Sequence, residues 1–176
     1  MFAKPVKRFL VVESDTGLRK IIEHEIQAET GITTDGISLD EFSDGKLSLD
    51  TRVVAMMDEK SKVESLLPSG ASPIFLNANS VPSTMSGQPL PADDDLIAVV
   101  SGWEKFITFA KLYLLAAKID RQSIIARSTV NRGWRKGIDQ ATMIICDTLT
   151  SQKFADDKRI RVFPLIAQSS RQQLLV

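Results

Sequence analysis

The stretch from Leu96 to Asp120, LIAVVSGWEKFITFAKLYLLAAKID, leaves this chain the fewest choices. It opens on an apolar run, Leu96 to Val100, that is too short for a helix and reads as a strand. Ser101-Gly102 then makes a turn, and a long helical pattern follows. Trp103, Phe106, Ile107, Ala110, Tyr113, Leu114 and Ala117 recur at the spacing of one helical face. Phe109, Leu112, Ala116 and Ile119 widen that face past half the cylinder, so Glu104, Lys105, Thr108, Lys111 and Lys118 keep only a narrow polar strip. Such a helix is expected to be buried on more than one side, either between two layers of one molecule or against a second copy. Its apolar run falls short of the roughly 20 residues needed to span a bilayer.

The same order of elements recurs along the chain. Strands are expected at Arg8 to Val12, Ile32 to Leu39, Arg52 to Met57, Pro73 to Leu76, Leu96 to Val100, Ser123 to Ala126, Met143 to Cys146 and Arg159 to Phe163. Between them lie helical patterns: Leu18 to a stop at Gly31, Glu59 to Leu67, the long central one, a short one over Asn131 to Ile138, and a piece reaching Phe154. Ser169 to Leu175 starts a last helix. Strands alternating with helices predict an α/β fold of mainly parallel sheets flanked by helices. Residues 83–95, rich in Ser, Gly, Pro and Asp, read as a linker. The expected organisation is a first lobe over 1–82, the linker, a second lobe over 96–163, and 164–176 returning to the first lobe.

Composition narrows the function classes. The 176 residues carry 22 basic and 22 acidic side chains, a zero balance unlike that of a free-standing nucleic-acid binder. One cysteine, Cys146, allows no internal disulfide and no cysteine-based zinc site. The amino-terminal MFAKPVKRF has no apolar signal region, so a soluble cytoplasmic protein with no membrane partner is expected. No G-x-S-x-G, Walker-type or G-x-G-x-x-G motif occurs, and no catalytic residue, metal ligand or cofactor is assigned. The acidic Asp93-Asp94-Asp95 lacks calcium-loop spacing.

In parallel sheets, ligands bind outside the carboxyl ends of the strands. There the sequence places Ser14, Asp15 and Thr16, then Ser80, then Ser101 and Trp103, then Arg127, and finally Asp147 and Thr148. Hydroxyls and single charges suit a small polar or anionic metabolite. Ser14 and Ser101 would stand at helix starts, Arg127 would offer a forked donor, and Asp147 would accept from an amine or hydroxyl. The competing expectation is that these side chains only cap helices.

Two resemblances bear on the chain. Leu10-Val11-Val12-Glu13-Ser14-Asp15 resembles the opening of a response-regulator receiver, with Asp58 as its phosphorylated carboxylate. Ser14 interrupts the acidic pair, however, and Ser101 stands where receivers carry a lysine. More of the chain is covered by a second likeness: Val11 to Ile21, Ser80-Val81-Pro82, Ile97 to Phe106, Gly133-Trp134-Arg135-Lys136-Gly137 and Ile144-Ile145-Cys146-Asp147. Together these segments resemble the C-terminal effector-binding portion of GntR-family transcription regulators. That resemblance implies a two-lobed, periplasmic-binding-protein-like ligand-binding domain of a homodimeric regulator. It would sense a metabolite in an interlobe cleft and reach DNA only through a winged-helix domain that this sequence does not contain. The alternatives are a small α/β enzyme such as a transferase, with Asp15 or Asp147 as base, and a receiver-like or dimerisation module.

Overall fold

The computed structural model describes residues 6–42, 47–48, 50–80, 91–92 and 94–175. The chain forms two compact units, one built from 1–79 together with 165–176, the other from 80–164. Most of the expected linker, 83–95, lies outside the described residues.

Unit 1 holds β1 (Arg8–Val12), α1 (Thr16–Thr30), β2 (Thr33–Ile37), β3 (Thr51–Met56), α2 (Lys60–Leu66) and β4 (Ile74–Leu76). Its four strands are all parallel, in the order β2-β1-β3-β4. Alternation along the strands sorts the side chains into two cores. Phe9, Val11, Val54, Met56 and Leu76 meet Ile22 and Ile26 of α1 on one face. Val12, Val53, Ala55 and Phe75 meet Val63 of α2 and Phe42 on the other. Covering both faces is why the central strands β1 and β3 read as apolar runs, whereas the edge strand β2, TTDGI, does not. Asp15 caps α1 by accepting from Gly17 N at 3.0 Å and Leu18 N at 3.3 Å. Gly31 ends the helix in the left-handed conformation that only glycine adopts without strain, and its N–H donates to Gln27 O.

Unit 2 repeats the plan with β5 (Ile97–Ser101), α3 (Glu104–Ala116), β6 (Ile124–Ser128), β7 (Met143–Asp147), α4 (Thr148–Ser151) and β8 (Ile160–Phe163). Its order, β6-β5-β7-β8, is again wholly parallel. Ile97, Val99, Ile145 and Phe163 pack on Phe106, Ile107, Ala110 and Leu114 of α3. Ala98, Val100, Ile144 and Cys146 pack on Ile138 and Ala141.

The final helix, α5 (Gln168–Leu174), belongs to unit 1. Glu25, buried in α1, holds the returning chain there. Its carboxylate accepts from Leu165 N at 2.7 Å, Ile166 N at 2.9 Å and Arg171 Nη2 at 2.8 Å. A buried carboxylate costs several kcal/mol to desolvate unless such donors meet it, roughly the regime seen for buried ion pairs.

Three local expectations change. The segment 131–138 is a series of turns rather than a helix, because Gly133 and Gly137 take positive φ and interrupt any continuous ladder. β6 and β7 run through Ser128 and Asp147, so Arg127 and Asp147 lie inside strands rather than in the loops after them. Among the described residues the long helix α3 is covered on one side only, so of the two expected kinds of burial the one between two layers of the molecule does not occur there. Phe109, Leu112 and Leu115 are 53%, 58% and 39% exposed.

Candidate functional site

Strand order places a crevice at the carboxyl end of each sheet, where the connections leave β1 and β3 in opposite directions and likewise β5 and β7. The expected site residues divide between the two units. Ser14, Asp15 and Thr16 follow β1; Ser80, Ser101, Trp103, Arg127, Asp147 and Thr148 belong to unit 2.

At the end of β5 and β7 the polar groups face each other. Ser101 Oγ donates to Asp147 Oδ2 at 2.6 Å and accepts from Trp103 N at 2.9 Å. Asp147 also accepts from Thr150 N and Thr150 Oγ1, each at 2.7 Å. Ser101, Asp147 and Thr150 are all buried. A buried carboxylate with three short donors makes Ser101 and Asp147 a structural tie between the ends of β5 and β7. Thr148 and Trp103 are half-buried beside this tie, and Trp103 packs against the α3 core.

Arg127 lies inside β6. It pairs in register with Val100, and its guanidinium turns onto backbone: Nε donates to Lys136 O at 3.0 Å and Nη1 to Ala126 O at 2.9 Å. The bond to Lys136 O clamps the Gly133–Gly137 turns to β6, and the two bonds together use two of the guanidinium's five N–H donors. Arg135 stacks on Trp134, with its guanidinium carbon 4.5 Å from the ring centre, and donates to Lys153 O. The basic patch is thus partly a packing device.

The neighbouring Ser128 was not singled out by its sequence context. It sits directly across from Ser101 in the β5–β6 register. Its hydroxyl is buried and meets no hydrogen-bond partner among the described residues. Such orphans are uncommon in folded proteins.

In unit 1 the carboxyl edge is acidic. Glu13, buried immediately after β1, accepts from Asp15 N at 2.8 Å. Burial pushes its carboxyl above the ordinary glutamate value, and the charges of Glu59, Asp15 and Asp58 push the same way. Ser14 is exposed and accepts from Leu39 N at 3.2 Å, tying the loop after β2 to this edge. Thr16 is exposed at the first turn of α1. Glu59 is engaged by Lys62, whose Nζ donates to Oε1 at 3.2 Å. Glu13 was legible as a charge ending an apolar strand; its burial was not. Among the described residues no group of three or more His, Cys, Asp or Glu side chains could hold a metal ion. Asp95 instead accepts from Ala92 N and Thr142 Oγ1, bracing the start of β5.

A cavity of about 330 Å³ opens at the opposite, amino-terminal edge of the unit 1 sheet. Thr51, Arg52, Ser69 and Ser72 line it together with Pro68 and Pro73, and Arg52 Nη1 donates to Ser72 O. None of the expected site residues reaches it.

The two units define an α/β protein of paired four-stranded parallel sheets. No family model, no curated protein and no solved structure matches the chain. Among the described residues, no helix is long and apolar enough to cross a membrane.

Proposed function

We propose that this chain is a non-catalytic sensing domain for a small polar metabolite, of the kind found in the effector-binding portion of GntR-family regulators. The observation that carries the reading is the repeated sheet order: one parallel plan built twice, with polar loops at the carboxyl ends of its strands. The ligand chemistry is an amine-bearing or uncharged polar molecule rather than an anion. Glu13, Asp15, Asp58 and Glu59 gather at the unit 1 edge, and Arg127, the cation expected to meet an anion, is committed to backbone oxygens.

Two side chains that could serve an enzyme are engaged or inert, which supports the sensing reading. Asp147 is saturated by donors, and the buried Cys146 thiol is pushed up to about 12, first by burial and then by Asp147. Such a thiol is no nucleophile at neutral pH. In a regulator, DNA contact would belong to a separate winged-helix domain, in keeping with the zero net charge here.

A thermal-shift panel of amines, polyols, carboxylates and phosphates tests the reading. A true ligand at a hundredfold its Kd stabilises the fold by about 2.7 kcal/mol. The expected hit is an amine or polyol whose effect falls in Glu13→Gln. Stabilisation confined to carboxylates or phosphates and abolished by Arg127→Ala would overturn the ligand chemistry, and turnover of a bound compound would overturn the sensing role.

A further inference from the structure

Every arginine of unit 1 except Arg52 meets a carboxylate. Arg8 pairs with Asp35 at 2.7 Å, Arg19 with Glu23 at 3.8 Å, and Arg171 with Glu25 and Glu29 at 2.8 and 2.9 Å. Arg52, the second residue of β3, is half-buried and pairs with no acidic side chain among the described residues. Its one hydrogen bond there runs from Nη1 to the neutral Ser72 O at 3.1 Å. A guanidinium has five N–H donors, so Nε and Nη2, the pair that makes the side-on fork, are left over. Charged side chains are withdrawn from water mainly where an opposite charge meets them.

Arg52 lines the cavity of about 330 Å³ at the amino-terminal edge of the unit 1 sheet. That volume lies within the usual range of small-molecule sites. Two turns form its rims, and each is held by its own hydrogen bonds. On one, Thr51 N donates to Ser48 O at 3.0 Å, and the hydroxyls of Ser48 and Thr51 lie 2.9 Å apart. On the other, Ala71 N donates to Pro68 O at 3.1 Å, with Gly70 supplying the positive φ, 89°, that such a tight turn requires. Exposed Ser69 and Ser72 stand on this second rim. No acidic side chain is in the described lining, and the nearby Asp50 carboxylate accepts from Ser48 Oγ.

We propose that this cavity binds a small organic carboxylate whose two oxygens take the Arg52 fork. A single cation balances a single negative charge, which favours a carboxylate over a phosphate dianion. Ser69 and Ser72 offer hydroxyl donors for its remaining lone pairs, and Val53, Pro68 and Pro73 offer apolar wall to its body. The site lies at the opposite sheet edge from Glu13. It is therefore separate from the amine or polyol edge proposed above and does not rest on it.

Titration of the full chain with acetate, butyrate and benzoate at constant ionic strength, followed by NMR, is the test. At least one of the three is expected to shift the Arg52 Nε–Hε signal and the amides of residues 69–72 saturably, with chloride inactive. The neutral counterparts, butanamide and benzamide, should bind at least about tenfold more weakly. Arg52→Gln should weaken carboxylate binding about ten- to a hundredfold, the loss of a charge-assisted fork. Arg52→Lys, which keeps the charge without the fork, should fall between. Glu13→Gln and Arg127→Ala should leave carboxylate binding unchanged, which separates this site from the carboxyl edges of the sheets. The Arg52 signal is read in the wild type and does not depend on any variant folding. No saturable shift with any of the three acids overturns the proposal. So does affinity retained in Arg52→Gln, or tighter binding of inorganic phosphate than of the carboxylates.

Discussion

Ser101 Oγ and Asp147 Oδ2, 2.6 Å apart, join the ends of β5 and β7 at the point where a parallel sheet would ordinarily open to a ligand. The bond links two turns at once. Ser101 also receives Trp103 N before α3, and Asp147 caps α4 through Thr150.

Removing this tie is expected to damage stability more than binding. Asp147→Ala leaves Ser101 and Thr150 donors buried without an acceptor and should cost about 3 kcal/mol or more; Ser101→Ala should cost about 1–3 kcal/mol. Urea denaturation of both variants checks the order. Ligand affinity unaffected by Ser101→Ala would agree with the structural role.

Arg127→Ala should leave ligand affinity within about twofold of wild type. It removes two bonds to backbone carbonyls, so a loss of about 0.5–1.5 kcal/mol is expected. Faster amide exchange in residues 133–137 would locate the damage at the clamped turns.

Glu13 should make stability depend on pH. Burial holds its folded carboxyl above the ordinary glutamate value, so the proton is held more tightly in the folded state. The contribution is fully present below the unfolded value and is lost as pH rises through the folded one. Glu13→Gln keeps an acceptor for Asp15 N and removes the buried charge. It should melt higher than wild type at neutral pH, and the gap should close in acid. Melting curves across that range would show it.

Arg171→Ala should release the returning segment from unit 1. Glu25 would keep its two backbone donors but lose its charged partner, and Glu29 would lose the same arginine at 2.9 Å. A cost of about 2–3 kcal/mol is expected. Hydrogen exchange should rise first in α5.

The sequence by itself determined the class of fold. Eight runs of strand type, with the central β1, β3, β5 and β7 apolar on both alternating faces, call for layers above and below. Capping and stop residues such as Asp15 and Gly31 mark α1 from local chemistry alone. It also located the polar residues at the carboxyl ends of the strands, because position along a strand is a property of the chain. Their partners were decided only by tertiary structure. Ser101 and Asp147 are 46 residues apart, and Arg127 meets Lys136 O only once the Gly133–Gly137 turns fold back. Periodicity measured how much of α3 was apolar but not which side another layer would cover. Phe109 and Leu112 read like core residues by spacing, and the packing of β5 and β7 against the opposite side left them outside. Local pattern fixes what a residue can bury, whereas the surface it meets depends on contacts distant in sequence.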